Sequence, residues 1–194
     1  MKTIGITGGI GSGKSFVSAI LRERFGIPIY DCDSEAKRLT ASDAGIRRQL
    51  TALVGPEVFR SGSLDKRLLA DFLFASAENA SAVNAIIHPV VLQDFEGWRE
   101  RQGDAATVGM ESAILYESGF AEKVDAVLFV DAPLEVRLRR AMLRDTASEE
   151  QVRARMKMQR PELYRQRADF VIDNGTDDEK KLTRELEEII TISQ

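Results

Sequence analysis

Cysteine and histidine are almost absent from this sequence of 194 residues, which has one of each: Cys32 and His88. A single cysteine excludes internal disulfide bonds and metal clusters built on cysteine, and it is typical of proteins of the reducing cytoplasm. We therefore expect a cytoplasmic protein. We interpret Cys32 as a structural residue. His88, which precedes Pro89, is interpreted as a packed or capping residue near a turn rather than as a catalytic base.

Long apolar runs are also missing, since the longest contain only a few residues and a membrane-spanning helix needs about 20. The chain enters a strand-like run at Lys2 to Thr7, which leaves no room for a signal peptide. A net charge of −4 argues against a general affinity for nucleic acid. We therefore expect neither a membrane nor a nucleic acid as a partner. The oligomeric state stays open, and a monomer is one option.

The sequence does contain a regular alternation of short apolar runs and helix-like segments. Thr3 to Thr7 is predicted to form a buried strand, followed by a Gly-rich turn and a helix from about Lys14 to Phe25 that ends at Gly26. Four further strands are predicted at 27–30, 107–110, 126–130 and 170–172. Buried strands separated by helices predict an α/β fold with a parallel sheet of about five strands and helices on both faces.

Two long helical stretches interrupt the strand pattern. Residues 33–103 are almost entirely helical in pattern, and we expect a subdomain inserted at the edge of the sheet. Residues 134–167 are strongly charged and helical, which predicts a helical flap. The nucleotide-binding core would then consist of the remaining parts of a single domain, namely about 1–32, 104–133 and 168–194.

The turn after the first strand carries the most specific motif of the chain, G-x-x-x-x-G-K-[ST]. It comprises Gly8, Gly9, Ile10, Gly11, Ser12, Gly13, Lys14 and Ser15. Glycines let successive backbone amides point inward as an anion nest, and the N-terminus of the following helix adds its dipole. In such a P-loop Lys14 reaches the β- and γ-phosphates of ATP, and the Ser15 hydroxyl binds Mg²⁺. We include Phe16, the next helical residue, in the ATP site.

The alternative to a P-loop is a chance Gly-rich turn, which is disfavoured because the motif lies between a predicted strand and a predicted helix. The expected fold class is therefore the three-layer fold of P-loop NTPases. No Asn-Lys-x-Asp segment that would bind a guanine base is present in the sequence, and the chain is short for a motor or a transporter ATPase. These observations favour a small-molecule kinase.

Two carboxylates, Asp31 and Asp33, follow the second predicted strand. The carboxyl ends of strands in such sheets face the ligand crevice, so both should arrive near the P-loop. A kinase that phosphorylates a hydroxyl benefits from a carboxylate that orients this hydroxyl and accepts its proton, and we assign that catalytic role to Asp33. The alternative, compatible with the first, is that Asp33 caps a helix at 34–39.

A third carboxylate, Glu111, follows the strand predicted at 107–110. A carboxylate at this place often holds Mg²⁺ directly or through water. The predicted metal site is therefore Ser15 with Glu111. A capping residue or a salt-bridge partner is the alternative interpretation of Glu111.

A stripe of arginines runs along the first helix of the charged segment, because Arg137, Arg140 and Arg144 have the spacing of one helix face. A run of charge usually marks a solvated face. Transfer of a phosphoryl group, however, needs positive charge at the γ-phosphate, and a mobile flap can supply it while excluding water. We choose Arg140 and Arg144 as the ATP-binding candidates.

Taken together, these motifs resemble the dephospho-CoA kinase family along nearly the whole chain. The P-loop with its lead-in, residues 6–15, is similar to the signature of that family, and residues 31–33 are similar to its Asp-x-Asp segment. Residues 62–74, with Leu64 and Asp65, are similar to the stretch before its His-Pro pair, here 88–89. Further matches in order and spacing are residues 130–133, Arg140, Arg144, Asp145, Arg153, Gln159, Asp169 and Asn174.

The resemblance implies transfer of the ATP γ-phosphoryl to the ribose 3′-hydroxyl of dephospho-CoA, which is the last step of coenzyme A synthesis. It also implies three parts: a nucleotide-binding core, a helical acceptor-binding domain at 33–103 and a lid at 134–167. By the same resemblance Lys14, Asp33 and Arg140 form the catalytic set, in which Asp33 is the base and Arg140 a lid contact to the phosphates.

The sequence departs from the family pattern at two places. Residues 111–117 stand where Asp-x-Pro-Leu-Leu-x-Glu is usual, so that Glu111 keeps the charge of the aspartate but is longer by one methylene. Lys66 stands where an arginine is usual, which replaces a bidentate phosphate contact by a point charge. Two rival functions remain from the sequence: a P-loop kinase for another nucleoside, nucleotide or metabolite, and a non-catalytic nucleotide-binding module.

Overall fold

The computed structural model describes residues 1–60, 62–176 and 178–193. It contains a parallel five-stranded sheet of strand order β2-β5-β1-β6-β7. Its strands are β1 (Lys2–Thr7), β2 (Ile29–Asp31), β5 (Thr107–Glu111), β6 (Ala126–Asp131) and β7 (Phe170–Asp173). The predicted parallel sheet is confirmed. The second strand lies two residues later than predicted at its start and extends by one residue to Asp31, where it pairs with Glu111.

The chain divides into two compact units, of which the first contains residues 1–31 and 102–194. Besides the five-stranded sheet this unit contains α1 (Lys14–Phe25), α6 (Leu134–Asp145), α7 (Glu149–Lys157), α8 (Pro161–Arg167) and α9 (Glu179–Ser193). α1 ends as predicted at Gly26, which adopts a positive φ of 65° and donates its amide to Leu21 O. Glycine favours this conformation because it lacks a Cβ.

One face of the sheet is covered by α1 and α9. Alternate residues of β1, such as Ile4 and Ile6, point to this face, as the period of two in a strand requires. They pack with buried apolar residues of both helices in a single cluster, formed by Ile4, Ile6, Val17, Ile20, Leu21, Ile27, Ile29, Leu128, Val130, Ile172, Leu182, Leu186 and Ile190. On the opposite face, Gly5 lies against Leu115 and Val124. The sheet is therefore buried on both faces, which explains its nearly continuous apolar strands.

The second unit, residues 32–101, is mainly helical. Its helices are α2 (Cys32–Ser42), α3 (Ala44–Val54), α4 (Lys66–Ala75) and α5 (Ala77–Glu100). Three of them have the N-caps that their sequences favour: Asp43, Asp65 and Ser76 accept backbone amides of the first turn. An ion pair joins α2 to α5, in which Arg38 Nη2 donates to both carboxylate oxygens of Asp94 at 3.1 Å.

Two details of this unit differ from the sequence-based expectation. A small antiparallel hairpin, β3 (Phe59–Arg60) with β4 (Ser63–Leu64), interrupts the helices. α2 begins at Cys32, so Asp33 lies inside its first turn and the expected helix boundary at Ser34 is wrong. Because an N-cap residue precedes the first helical residue, Asp33 is not the N-cap of this helix.

Within the described ranges, no helix combines the length and the apolar character that a bilayer crossing requires.

Candidate active site

The Gly-rich turn connects β1 to α1, and its shape depends on glycine at two positions. Gly11 has φ +76° and Gly13 has φ +91°, and residues with a Cβ rarely adopt such positive values. A Cβ on Gly11 would lie 2.1 Å from the carbonyl oxygen of Arg137, and one on Gly13 would lie 2.1 Å from Asn174 Nδ2. The loop is therefore closely packed on its outer side, and only glycine fits at either place.

The ammonium group of Lys14 folds back over the start of this loop. Its Nζ donates to the carbonyl oxygens of Gly8 at 2.8 Å and Gly9 at 3.4 Å. The first helical residue thus carries its charge to the amide nest of the turn. A cation, backbone amides and a helix N-terminus meet at one place, which is an arrangement suited to a polyphosphate.

Ser15 and Glu111, the two residues predicted to bind metal, lie in direct contact. The Ser15 hydroxyl donates to Glu111 Oε1 at 2.8 Å. Glu111 is the last residue of β5 and is buried, and the parallel register places it beside Ile6 of β1. A hydroxyl and a carboxylate are hard oxygen ligands of the kind that Mg²⁺ prefers.

The donor set fits Mg²⁺ in number as well as in kind. Across residues 1–60, 62–176 and 178–193, no group of three or more His, Cys, Asp and Glu side chains could hold a metal ion. Mg²⁺ does not need such a cage, since it usually keeps several waters and is bound by one or two protein oxygens together with substrate phosphates. Ser15 and Glu111 supply two such oxygens at the P-loop.

Asn174, directly after β7, connects three segments at the loop. Its backbone amide donates to Asp131 O at 2.8 Å, and its side-chain Nδ2 donates to Ser12 O of the P-loop at 2.8 Å. Its carbonyl oxygen accepts a hydrogen bond from Arg140 Nη1 at 2.7 Å. The sequence-predicted residue Arg140 is therefore held beside the P-loop by a buried asparagine whose role the sequence did not reveal.

Arg137 belongs to the predicted arginine stripe but was not among the chosen candidates. The structure buries it against the P-loop, where a Cβ on Gly9 would lie 2.1 Å from Arg137 Nη1. Its buried Nε has no hydrogen-bond partner among the described residues. The only sequence signal was its position three residues before Arg140, which places both on one helix face.

Arg144, the other chosen arginine, has different neighbours. Its guanidinium donates to its neighbour Asp145, with 2.7 Å between Nε and Oδ1, and its side chain is 65% exposed. Arg155 also pairs with Asp145, at 2.8 Å. The hydrogen bond from Arg144 contributes most to lowering the pKa of the Asp145 carboxyl to about 2. Among the described residues, no hydrogen bond connects Arg144 to the P-loop.

The segment between α7 and α8 also contacts the loop, through Gln159. Its Oε1 accepts the backbone amide of Ile10 at 2.8 Å. Farther along, the rings of Tyr164 and Tyr116 stack with 4.9 Å between their centroids. Burial and the neighbouring Glu117 carboxylate raise the pKa of Tyr164. These contacts attach α8 to the segment that follows β5.

The remaining candidates lie on three different helices. Asp33 is exposed in the first turn of α2, two residues beyond the end of β2. Phe16 is 46% exposed in the first turn of α1. His88 lies within α5, where partial burial lowers the pKa of its imidazole.

Known proteins are similar to this chain along nearly its whole length. The family model described as Dephospho-CoA kinase matches residues 2–179. A dephospho-CoA kinase of Bacteroides fragilis (strain YCH46) is 51% identical over 188 residues, which are 96% of this chain and 90% of that protein. The crystal structure of a Thermus thermophilus protein has a TM-score of 0.86 at 38% identity and covers 100% of this chain and 98% of its own.

A more distant solved structure supports the fold alone. The dephospho-CoA kinase from Campylobacter jejuni has a TM-score of 0.69 at 23% identity, with 98% of this chain and 96% of that chain covered.

Proposed function

The chain belongs to the dephospho-CoA kinase family, which transfers the γ-phosphoryl of ATP to the 3′-hydroxyl of dephospho-CoA in the last step of coenzyme A synthesis, and from this premise we propose how its own residues perform the transfer. The chain is thus an ATP-dependent kinase whose products are coenzyme A and ADP. The roles of individual residues, the metal and the parts of the chain are our proposal.

The P-loop, residues 8–15, binds the phosphates of ATP through its amides, and Lys14 neutralises charge between the β- and γ-phosphates. The contact of Lys14 Nζ with Gly8 O and Gly9 O carries this assignment, because it holds the ammonium at the loop. Phe16, at the start of α1, completes the nucleotide site. Electrostatic stabilisation by such preorganised groups usually supplies most of the rate enhancement in phosphoryl transfer.

Mg²⁺ is held by Ser15 and Glu111 in this proposal. Their 2.8 Å contact supports the assignment, because it brings both oxygens to one small volume. An ion held by these two residues would supply positive charge against the charge that develops on the phosphate oxygens. Glu111 also fixes the orientation of the Ser15 hydroxyl by accepting its hydrogen bond.

Asp33 acts as the general base for the acceptor. It orients the 3′-hydroxyl of dephospho-CoA and accepts its proton as the oxygen attacks the γ-phosphorus. Support comes from the matching Asp-x-Asp segment at 31–33 and from the position of Asp33 just beyond the carboxyl end of β2. The leaving group is ADP, and the Asp33 carboxyl then releases the proton to solvent.

Arg140 and Arg144 supply positive charge to the triphosphate from the helical segment 134–167, which we propose to act as a lid. Arg140 is already fixed beside the loop through Asn174. Arg144 has to exchange its partner Asp145 for a phosphate oxygen. The helical residues 33–103 are proposed to bind the acceptor, and a reducing cytoplasm suits the single buried cysteine.

The base assignment is tested by Asp33→Asn, with Glu35→Gln on the same helix as the matched control. Glu35 forms an exposed ion pair with Arg38, and such pairs contribute little. Loss of a general base should reduce kcat by about 10²-fold or more while ATP affinity stays within about twofold. The control should keep wild-type turnover. Near-normal kcat in Asp33→Asn would remove this residue from the mechanism.

A further inference from the structure

Ile10, the third residue of the P-loop, is bound by a side chain that is distant in sequence. Its backbone amide donates to Gln159 Oε1 at 2.8 Å across a separation of 149 residues. Since an amide N–H can only donate, the oxygen of the glutamine must face it, which fixes the orientation of the Gln159 amide. Gln159 follows α7 and precedes α8.

The side chain of Ile10 is held by the same part of the chain. It packs against a small apolar cluster formed by Leu138, Ala141, Val152 and Met156. Leu138 and Ala141 belong to α6, while Val152 and Met156 belong to α7. Ile10 is thus anchored twice, once through its amide and once through its side chain, and both anchors come from the segment 134–167.

This double anchor fixes the loop where it must meet ATP. The carbonyl oxygens of Gly8 and Gly9, directly before Ile10, accept hydrogen bonds from Lys14 Nζ. Two residues after Ile10, the carbonyl oxygen of Ser12 accepts a hydrogen bond from the side chain of Asn174. Gln159 therefore controls the part of the loop between the lysine contact and the asparagine contact. An amide nest binds an anion only if its N–H groups converge, so a shift of this part weakens the site.

We infer that Gln159 is a positioning residue of the ATP site, which acts through the Ile10 amide and couples the segment 134–167 to the phosphate-binding loop. This inference rests on the proposed binding of ATP at the P-loop. In this proposal Gln159 does not contact the reacting atoms. Its effect should appear in nucleotide binding and not in acceptor binding.

The test uses Gln159→Met, which keeps the length and volume of the side chain but removes the acceptor. Gln166→Met is the matched control, because Gln166 is an exposed glutamine of α8, in the same segment. Calorimetric titration with a non-hydrolysable ATP analogue measures the nucleotide site independently of any acceptor. We expect affinity about 10-fold weaker in Gln159→Met, since a partly buried amide loses its partner, and unchanged affinity in Gln166→Met.

Steady-state kinetics separate positioning from a merely structural role. In Gln159→Met, KM for ATP should rise while KM for dephospho-CoA stays within about twofold. A merely structural role would lower the melting temperature and the active fraction but leave both KM values unchanged. Wild-type affinity and KM for ATP in Gln159→Met, with or without a lower Tm, would overturn the inference.

A double-mutant cycle with Ile10→Ala completes the test. Ile10→Ala keeps the backbone amide and removes only the side-chain anchor, so each single variant retains one of the two anchors of this part of the loop. The combined loss of nucleotide affinity should therefore be clearly larger than the product of the two single losses. Losses that multiply would show that Gln159 and Ile10 act independently and would contradict the inference. Failure of the wild type to phosphorylate dephospho-CoA would instead contradict the proposed function, because the titration does not depend on the acceptor.

Discussion

The two ends of α6 carry arginines of the same stripe but place them in different surroundings. At the N-terminal end Arg137 is buried against Gly9 and Gly11, and about one turn later Arg140 is hydrogen-bonded to Asn174 beside the loop. At the C-terminal end Arg144 is exposed and paired with Asp145. The difference shows that helical spacing can group cations on one face, whereas the packing of the helix decides which of them lies at the P-loop.

The largest expected effect concerns the contact between the loop and the N-terminal end of α6. Gly11→Ala would place a Cβ 2.1 Å from the Arg137 carbonyl oxygen, so that the loop or the helix must shift. We expect kcat/KM for ATP to fall by about 100-fold or more, because misplacement by about 1 Å can cost that much. Initial rates at varied ATP concentration measure this fall in kcat/KM.

Gly119→Ala is the matched control for this substitution. Gly119 has nearly the same φ, +77°, but among the described residues other than its two chain neighbours no atom lies within 4 Å of an added Cβ. The Gly119→Ala variant should lose about 1 kcal/mol of its free energy of unfolding, because alanine is strained at this φ, and it should keep wild-type kinetics. Equal kinetic losses in both variants would show that backbone strain, and not contact with α6, explains the effect of Gly11→Ala.

The second prediction compares the two chosen arginines directly. Arg140→Ala should lower kcat/KM for ATP by about 100-fold, as removal of a preorganised charge at a phosphoryl group does. Arg144→Ala should lower kcat/KM for ATP by only about 10-fold. Arg144 must first break its contact with Asp145, and its exposed side chain is surrounded by solvent, which weakens the interaction of its charge. A loss in Arg144→Ala equal to or larger than that in Arg140→Ala would reverse the comparison between the two ends of α6.

The smallest expected effect concerns the free energy of unfolding that Asp145 and its ion pairs contribute at the exposed C-terminal end of α6. The folded-state pKa of Asp145, about 2, lies below the unfolded value of about 3.9. The carboxylate therefore stabilises the fold above about pH 4, and this contribution is lost as the pH falls toward 2. Asp145→Asn should lower Tm by about 2 °C at pH 7 and by progressively less on acidification.

Thermal unfolding of wild type and variant between pH 7 and pH 2 measures this difference. Asp104→Asn is a suitable control, since Asp104 is exposed and forms no ion pair within the described part of the chain. A difference in Tm between wild type and Asp145→Asn that does not change with pH would contradict the role of the carboxylate charge.

Most of the sheet could be predicted from the sequence because buried parallel strands are short apolar runs bounded by turn residues. Strands β1, β5, β6 and β7 were recognised on this basis. The antiparallel pair of β3 and β4 was not predicted. Its strands have only two residues each, so no alternation of apolar and polar positions can develop.

The candidate site also has a part that could be predicted from the sequence and a part that could not. The P-loop is a local motif, so its residues could be listed from the sequence. The contacts that hold it are not local: Asn174 and Ser12 are 162 residues apart, and Gln159 and Ile10 are 149 apart. No periodicity or spacing carries such information, and for this reason the sequence could not separate the buried Arg137 from the exposed Arg144.

The most direct test of the central claim is a panel of phosphoryl acceptors offered to the wild-type protein with ATP and Mg²⁺. Dephospho-CoA, AMP, CMP, uridine and shikimate are supplied separately, and release of ADP is followed. The account predicts fast release with dephospho-CoA, formation of coenzyme A in equal amount, and little release with the others. Strong turnover of another acceptor with none of dephospho-CoA would contradict it.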